Sequence, residues 1–275
     1  MTEFLKRRAW DLIRPIHAPI TRRLRRRLAR NYFSHPEIEL PPPYESVQLD
    51  VERHLHDYLH VTPLGISQIV IVGAHEADEV ERLHRVYPRT QFLCFEPNPQ
   101  THQSLVKKFA RLPYVTVSAL ALSDVPGKAS FYEMNMPGTG SLLEPDCENW
   151  RTFNQRQSAE ATPLEVTVST LDQEAKALPA IDLLWMDIQG AEGRALAGAK
   201  ETLRRTKAVF LEVALVRSPY REASLFPEIA ALLEAADFTC AGLGVDAWNG
   251  AGNALFVRRI NELVCKPTVD SIGKC

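Results

Sequence analysis

Two carboxylates flanking a glycine turn follow an almost wholly apolar run: Ile181-Asp182-Leu183-Leu184-Trp185-Met186-Asp187-Ile188-Gln189-Gly190-Ala191-Glu192. Such a run reads as a strand buried on both faces, and open α/β sheets bind ligands beyond the carboxyl ends of their strands. Asp187 then falls in the ligand crevice and Glu192 opens the next helix. A third carboxylate, Glu212, closes the following apolar run, Lys207 to Val213. Acids so placed can take the proton of a hydroxyl nucleophile. Asp187, Glu192 and Glu212 are the catalytic candidates, with His75 as a further base, and the sequence leaves open which one acts. Structural roles stand beside these: Glu192 suits a helix amino terminus, and Asp187 the backbone amides of the Gly190 turn. No compact ligand spacing supports a metal ion, and none is expected.

A second cluster lies upstream. Gly73-Ala74-His75 follows the short apolar run Ile69–Val72, where a glycine lets the chain turn tightly beside a ligand. Glu96 comes 23 residues later, at the end of a second strand and within Phe95-Glu96-Pro97-Asn98-Pro99. A carboxylate there can accept hydrogen bonds from both hydroxyls of a ribose, and the prolines hold its loop. A nicotinamide oxidoreductase would also need GxGxxG after the first strand. The chain instead reads Gly73-Ala74-His75-Glu76-Ala77-Asp78. Its acids would repel a pyrophosphate and suit a cationic ligand, so dinucleotide binding is disfavoured.

These residues need a parallel sheet to position them, and the chain alternates strand and helix from residue 69 onward. Strands are expected at 69–72, 91–95, 114–120, 181–187 and 207–213. Helices are expected up to Tyr87, near 100–110, at 191–204 and at 224–235. Two closing strands, 238–243 and 253–258, leave no room for a crossover helix and predict a hairpin with one antiparallel edge. Ala129–Glu133 and Glu165–Val168 read as extra strands flanking a polar insertion, 135–162. Its Gly138-Thr139-Gly140-Ser141 stretch suits a mobile lid, and Trp150 or Phe153 could stack on a sugar face.

The remainder bounds the setting. Five scattered cysteines, odd in number and without CxxC spacing, argue against a disulfide framework or zinc cluster and fit a reducing compartment. Residues 1–30 carry ten basic side chains against Glu3 and Asp11, a local +8; the net −2 leaves −10 for the rest. A nucleic-acid partner for the body is therefore not expected. No secretory signal or membrane-spanning length is evident, which predicts a cytoplasmic body. Pro41-Pro42-Pro43 marks a boundary between an extension (1–43) and a domain (44–260) that begins with a helix at 45–61; residues 261–275 read as a tail. Oligomeric state is not legible.

In combination, Val72-Gly73-Ala74, Phe95 to Pro99, Ala121 to Gly127, Ser169-Thr170-Leu171-Asp172, Met186 to Glu192 and Leu211-Glu212-Val213 resemble the FkbM-type methyltransferases, in order from about residue 69 to 258. The resemblance implies a Rossmann-like α/β fold: a seven-stranded, mostly parallel sheet with an antiparallel last strand and helices on both faces. It implies S-adenosylmethionine as cofactor and methyl transfer to a hydroxyl, of a saccharide or lipid-linked sugar. Gly73 would lie near the cofactor's amino-acid end and Glu96 at its ribose, with Ala74, His75, Pro97 and Asn98 also binding the cofactor. Ala121 and Leu122 would flank the adenine, with Asp187 also lining the site. The chain departs from the family pattern at Ile71, where an acid is common, and at His75, Ala77 and Gln189, where asparagine, glycine and glutamate are common. A methyltransferase-fold protein without turnover is the alternative.

The extension has apolar residues at a stride of four (Leu12, Ile16, Ile20, Leu24, Leu28) among its arginines, interrupted by Pro15 and Pro19. It either packs on the domain or a partner subunit, or lies on anionic lipid, where each basic residue adds about 1 kcal/mol. On the lipid reading, the full chain sediments with anionic liposomes and a chain starting at Tyr44 does not; equal sedimentation rejects it.

Overall fold

The computed structural model describes Leu55 and residues 65–153, 160–245 and 250–259. The expected extension 1–43, the helix 45–61 (apart from Leu55, which is helical and buried) and the tail 261–275 lie outside the described residues. In chain order the described elements are β1 (Gln68–Val72), α1 (Asp78–Val86), β2 (Gln91–Phe95), α2 (Pro99–Phe109), β3 (Val115–Ser118), β4 (Ala121–Leu122), β5 (Gly127–Met134) and α3 (Cys147–Phe153). There follow β6 (Ala161–Ser169), α4 (Leu171–Glu174), β7 (Ile181–Met186), α5 (Glu192–Ala197), α6 (Lys200–Arg204), β8 (Thr206–Ala214), α7 (Phe226–Ala235), β9 (Phe238–Val245) and β10 (Ala251–Arg258).

β1 explains the layering. Its apolar side chains are all buried: Val70 and Val72 join one core cluster, Ile69 and Ile71 the other. A strand covered on both faces belongs at the centre of a parallel sheet. β1 pairs in parallel with β2 and β7, and β7 with β8, giving the order β3-β2-β1-β7-β8-β10-β9. The expected closing hairpin forms, but its antiparallel strand is not the edge: β10 inserts between β8 and β9, antiparallel to both. Leu255 and Phe256 are buried there, and the backbone of β10 is paired on both sides.

The extra strands make a second sheet, β4-β6-β5. Its parallel β4–β6 pairing sets Ala121 beside Val168 and Leu122 beside Ser169. The expected helix 191–204 divides into α5 and α6 around Gly198, where an added Cβ would lie 2.2 Å from the Ser123 carbonyl oxygen. The Ser169-Thr170-Leu171-Asp172 motif serves this scaffold. The Thr170 side chain caps α4, and the Asp172 carboxylate accepts from the backbone N–H groups of Glu201 (3.1 Å) and Thr202 (2.7 Å) at the start of α6. Among the described residues, no helix is long and apolar enough to cross a membrane.

Asp182, only 2% exposed, ties the opposite end of the sheet. One carboxylate oxygen accepts from Ser67 N (2.7 Å), Ser67 Oγ (3.0 Å) and Gln68 N (3.0 Å); the other pairs with Lys207 Nζ at 2.6 Å. Burial alone would raise its pKa, but these partners bring it below the usual carboxylate range. Asp182→Ala is expected to lower unfolding free energy by about 2–4 kcal/mol in guanidinium titrations, through orphaned backbone donors and the loss of the Lys207 ion pair. A change within about 0.5 kcal/mol would show that this staple is idle.

Candidate functional site

The site is one row of residues across four strands. Phe95, Val72, Met186 and Leu211 lie side by side in the β2-β1-β7-β8 register. The next residue of each strand is Glu96, Gly73, Asp187 and Glu212 respectively, so three carboxylates and a glycine emerge together at the carboxyl ends. Gly73 has φ +84°, and a Cβ there would lie 1.9 Å from the backbone oxygen of Asp187. Its glycine is thus required by the neighbouring chain as well as by the turn. Phe95 O accepts from Gly73 N and Ala74 N, both at 3.0 Å, and Val72 O accepts from Asp187 N at 2.9 Å.

A cleft of about 280 Å³ opens over β1 and β2. Gly73, His75, Glu96, Pro97, Asn98, Ala121, Leu122 and Asp187, all among the sequence candidates, line it. Ala74 does not: it is 2% exposed and packs in the core between α1 and the sheet. Glu96 is buried, and each of its oxygens accepts one backbone N–H, from His75 (2.8 Å) and Asn98 (2.9 Å). A carboxylate has about four lone-pair sites, so capacity remains for two ligand hydroxyls. Burial raises the Glu96 pKa, and these same hydrogen bonds oppose the rise. Asn98 holds the loop from the other side: its Oδ1 caps α2 through Gln100 N and Thr101 N, and its Nδ2 donates to Glu133 at 2.8 Å. The sequence reading missed Phe131, Glu133 and Met134 of β5, which complete the wall. Only a β-strand ending in the insertion hinted at them.

Asp187 faces the open cleft while protein surrounds its carboxylate, so its exposure is to the cavity and its pKa is raised chiefly by desolvation. Burial also raises Glu212 well above its ordinary value, and the charges of Asp187 and Glu192 push it further. Two carboxyls this close cannot both ionise cheaply, and the Asp187 charge adds to the burial that raises Glu212. Gln189 joins them: its Nε2 donates to Asp187 Oδ1 at 2.7 Å and to Glu212 Oε2 at 3.0 Å. Tyr220, absent from the sequence candidates, closes the network, its single hydroxyl proton shared between the Thr139 carbonyl and Gln189 Oε1. Glu192 folds back on the turn, accepting from Ile188 N at 2.9 Å. Burial pushes it up to about 7. Glu192 and Glu212 line a neighbouring cavity rather than the first cleft. Among the described residues no group of three or more His, Cys, Asp or Glu is arranged to hold a metal ion.

The insertion covers this row. Gly138 rests on the His75 imidazole, where an added Cβ would be 3.4 Å from the ring. Ser141 is buried and fastens the segment, its Oγ donating to Gln189 O at 2.9 Å and accepting from Leu143 N at 3.0 Å. Trp150 is buried, edge-on to Tyr220 with ring centroids 5.8 Å apart. Residues 154–159 and the Phe153 side chain lie outside the description.

Among the described residues five non-glycine residues have positive φ, and four of them stand at turns around the site. His75 (43°) and Ala77 (52°) follow β1, Gln189 (57°) follows β7, and Glu222 (57°) precedes α7. At Ile71, where the resembled family commonly has an acid, the side chain is fully buried between Cys94 and Trp185 of the adjoining strands.

A family model described as the methyltransferase FkbM domain matches residues 72–240. The 2-O-methyltransferase NoeI of Sinorhizobium fredii is 31% identical over 155 residues, covering 52% of this chain and 62% of that protein. The chain therefore spans less than two thirds of this relative's length. Among solved structures, a precorrin-6y C5,15-methyltransferase from Geobacter metallireducens is 11% identical with a TM-score of 0.42, over 83% of this chain and 97% of that one. The N-terminal domain of EvdMO1, solved with SAH and D-fucose present, is 14% identical with a TM-score of 0.42, over 87% and 96%.

Glu192 yields a pH signature. Its folded pKa of about 7 lies above the ordinary 4.5, so the native state holds a proton that the unfolded chain releases between those values. That contribution is full below about pH 4.5 and lost as pH rises through about 7. Glu192→Gln keeps an acceptor for Ile188 N without titrating, so its stability relative to wild type should rise by roughly 1–3 kcal/mol between those limits. Denaturant melts at both ends test this; parallel curves would mean the carboxyl is ionised throughout.

Proposed function

The chain belongs to the FkbM methyltransferase family, and we propose that it is an S-adenosylmethionine-dependent O-methyltransferase acting on a saccharide hydroxyl. The observation that carries the reading is the buried Glu96 carboxylate, held by two backbone N–H groups in the same cleft as Asp187. This geometry fits the cofactor: Glu96 retains one acceptor site per oxygen for the ribose hydroxyls, and Leu120, Leu122 and Phe131 offer an apolar wall to the adenine. The lining side chains include Glu96, Glu133 and Asp187 and, apart from His75, no base, which suits a cationic ligand. When bound, S-adenosylmethionine supplies a methyl group on a positively charged sulfur.

The residues of the chain then do three things. Glu96 and its proline-braced loop orient the donor, and in-line placement supplies much of the rate. The insertion, latched by Ser141, excludes water from the reacting atoms. The Asp187–Glu212 pair accepts the hydroxyl proton as the oxygen–carbon bond forms and the sulfur–carbon bond breaks. Because burial raises both carboxyls, the ionised form is favoured as pH rises above the ordinary carboxylate range. Transfer therefore increases with pH there.

NoeI is named as a 2-O-methyltransferase, which supports a hydroxyl as acceptor. The saccharide assignment rests on the family resemblance and on the enclosed, polar character of the site. On this reading the body acts in the cytoplasm, with peripheral contact of the basic extension to an anionic membrane surface.

Calorimetry is the first test. S-adenosylhomocysteine should bind with micromolar affinity, about −8 kcal/mol, and Glu96→Ala should abolish it; no binding to the folded protein would favour a non-catalytic relative. Asp187→Asn should keep S-adenosylhomocysteine binding within a few-fold yet slow tritiated-methyl transfer to a saccharide panel by about 10²–10⁴. An unchanged rate removes Asp187 from proton transfer.

A further inference from the structure

We propose that the His75 imidazole donates a hydrogen bond to the α-carboxylate of the cofactor's amino-acid tail, the anionic group of a molecule otherwise suited to an acid-lined cleft. This rests on the methyltransferase reading and deepens it by assigning the residue that holds the tail. The strand order sets where the tail runs. Glu96 follows β2, and Leu120 and Leu122 stand on the β3 side of it. A ligand with its ribose at Glu96 and its base against those leucines extends the other way, over the tip of β1 toward Asp187 beyond β7. His75, two residues past Gly73 at the tip of β1, lines the cleft there.

The imidazole is placed and free to do this. An added Cβ at Gly138 would lie 3.4 Å from its Cε1, 3.5 Å from Nδ1 and 3.6 Å from Nε2. Distances so nearly equal put Gly138 over the face of the ring, because an approach along the edge would leave both nitrogens distinctly farther than Cε1. The insertion thus covers the face and leaves the edges. The hydrogen bond that His75 makes among the described residues uses its backbone N–H, to Glu96 Oε2 at 2.8 Å, and leaves the ring nitrogens to a ligand. Its charge reaches both Glu96 and Asp187 and favours the ionised form of each, as expected of a ring standing between them. The backbone there is left-handed (φ 43°), and strain of that kind gathers at ligand sites.

The neighbouring donors are already committed. Gly73 N and Ala74 N donate to Phe95 O, Asp187 N to Val72 O, and Ile188 N to Glu192. The first turn of α1 carries Asp78, Glu79 and Glu81, which oppose an anion at that amino terminus. The Asn98 side-chain amide is held by Glu133 at 2.8 Å. Among the side chains lining the cleft, His75 alone can carry positive charge, and it does so beside Glu96, Glu133 and Asp187. Those acids favour the sulfonium and the ammonium of the cofactor but repel its carboxylate. A carboxylate enclosed without a donor is unfavourable, whereas a hydrogen bond from histidine to a carboxylate is of the stronger, charge-assisted kind.

Three ligands separate the groups of the tail. S-adenosylhomocysteine has all of them, its decarboxylated analogue keeps the amine alone, and 5′-methylthioadenosine has neither. Each is titrated calorimetrically into the full-length wild type, His75→Ala and His75→Asn. His75→Ala should weaken S-adenosylhomocysteine about ten- to hundredfold while leaving the other two ligands within about twofold. Asparagine suits the left-handed backbone and keeps a neutral donor, so His75→Asn should show the same selective loss at about three- to tenfold. A variant that merely disturbs the Glu96 loop would weaken all three ligands alike. If both variants weaken the three ligands equally, or neither weakens S-adenosylhomocysteine, the assignment of His75 is overturned while the methyltransferase reading stands. If the wild-type protein binds none of the three, both fall together.

Discussion

The approach of Gly73 to the backbone of Asp187 is the constraint on which the site depends. With any side chain at residue 73, a Cβ would intrude to 1.9 Å from the Asp187 carbonyl oxygen, and β1 and β7 could not leave the sheet side by side. Because they do, Asp187 N reaches Val72 O, and the row Glu96, Gly73, Asp187, Glu212 emerges at one level. The cleft over β1 and β2 and the carboxyl network are both consequences of that contact.

Bringing acids together in an enclosed space is unfavourable unless their charges are managed. Here the management is by hydrogen bonding and shared protons rather than by cations. Gln189 donates to both Asp187 and Glu212, which a glutamate at that position could not do while ionised. The glutamine thus lets two carboxyls approach where a third charge would drive them apart. Asp182, at the other end of β7, shows the contrasting solution: a lysine and three further donors keep it ionised. One strand therefore carries a charged anchor at its base and a protonatable site at its tip.

Much of this was legible in the sequence because strand burial and turn chemistry are local. The apolar runs at 69–72 and 181–186 gave the central strands, and the carboxylates ending each strand lie where the crevice rule puts them. The break at Gly198 was not legible, since it answers to the Ser123 carbonyl 75 residues away. Nor was the place of β10, because hairpin spacing defines a pairing and says nothing about which partner lies on the other side. Ala74 was assigned to the cleft by adjacency, but alternation of direction after β1 turns it into the core. Tyr220 escaped for the same reason as Gly198: it acts through contacts distant in the chain, with the insertion and the Gln189 turn.

Three of the four departures from the family pattern, His75, Ala77 and Gln189, occupy left-handed backbone positions. Asparagine and glycine adopt that conformation readily, whereas other L-residues pay a penalty of about 1–2 kcal/mol each. The shape of the crevice is therefore imposed by the surrounding scaffold on residues that resist it. The strain at these corners is local, so relaxing it at His75 or Ala77 with glycine would add thermal margin while leaving the sheet as it is.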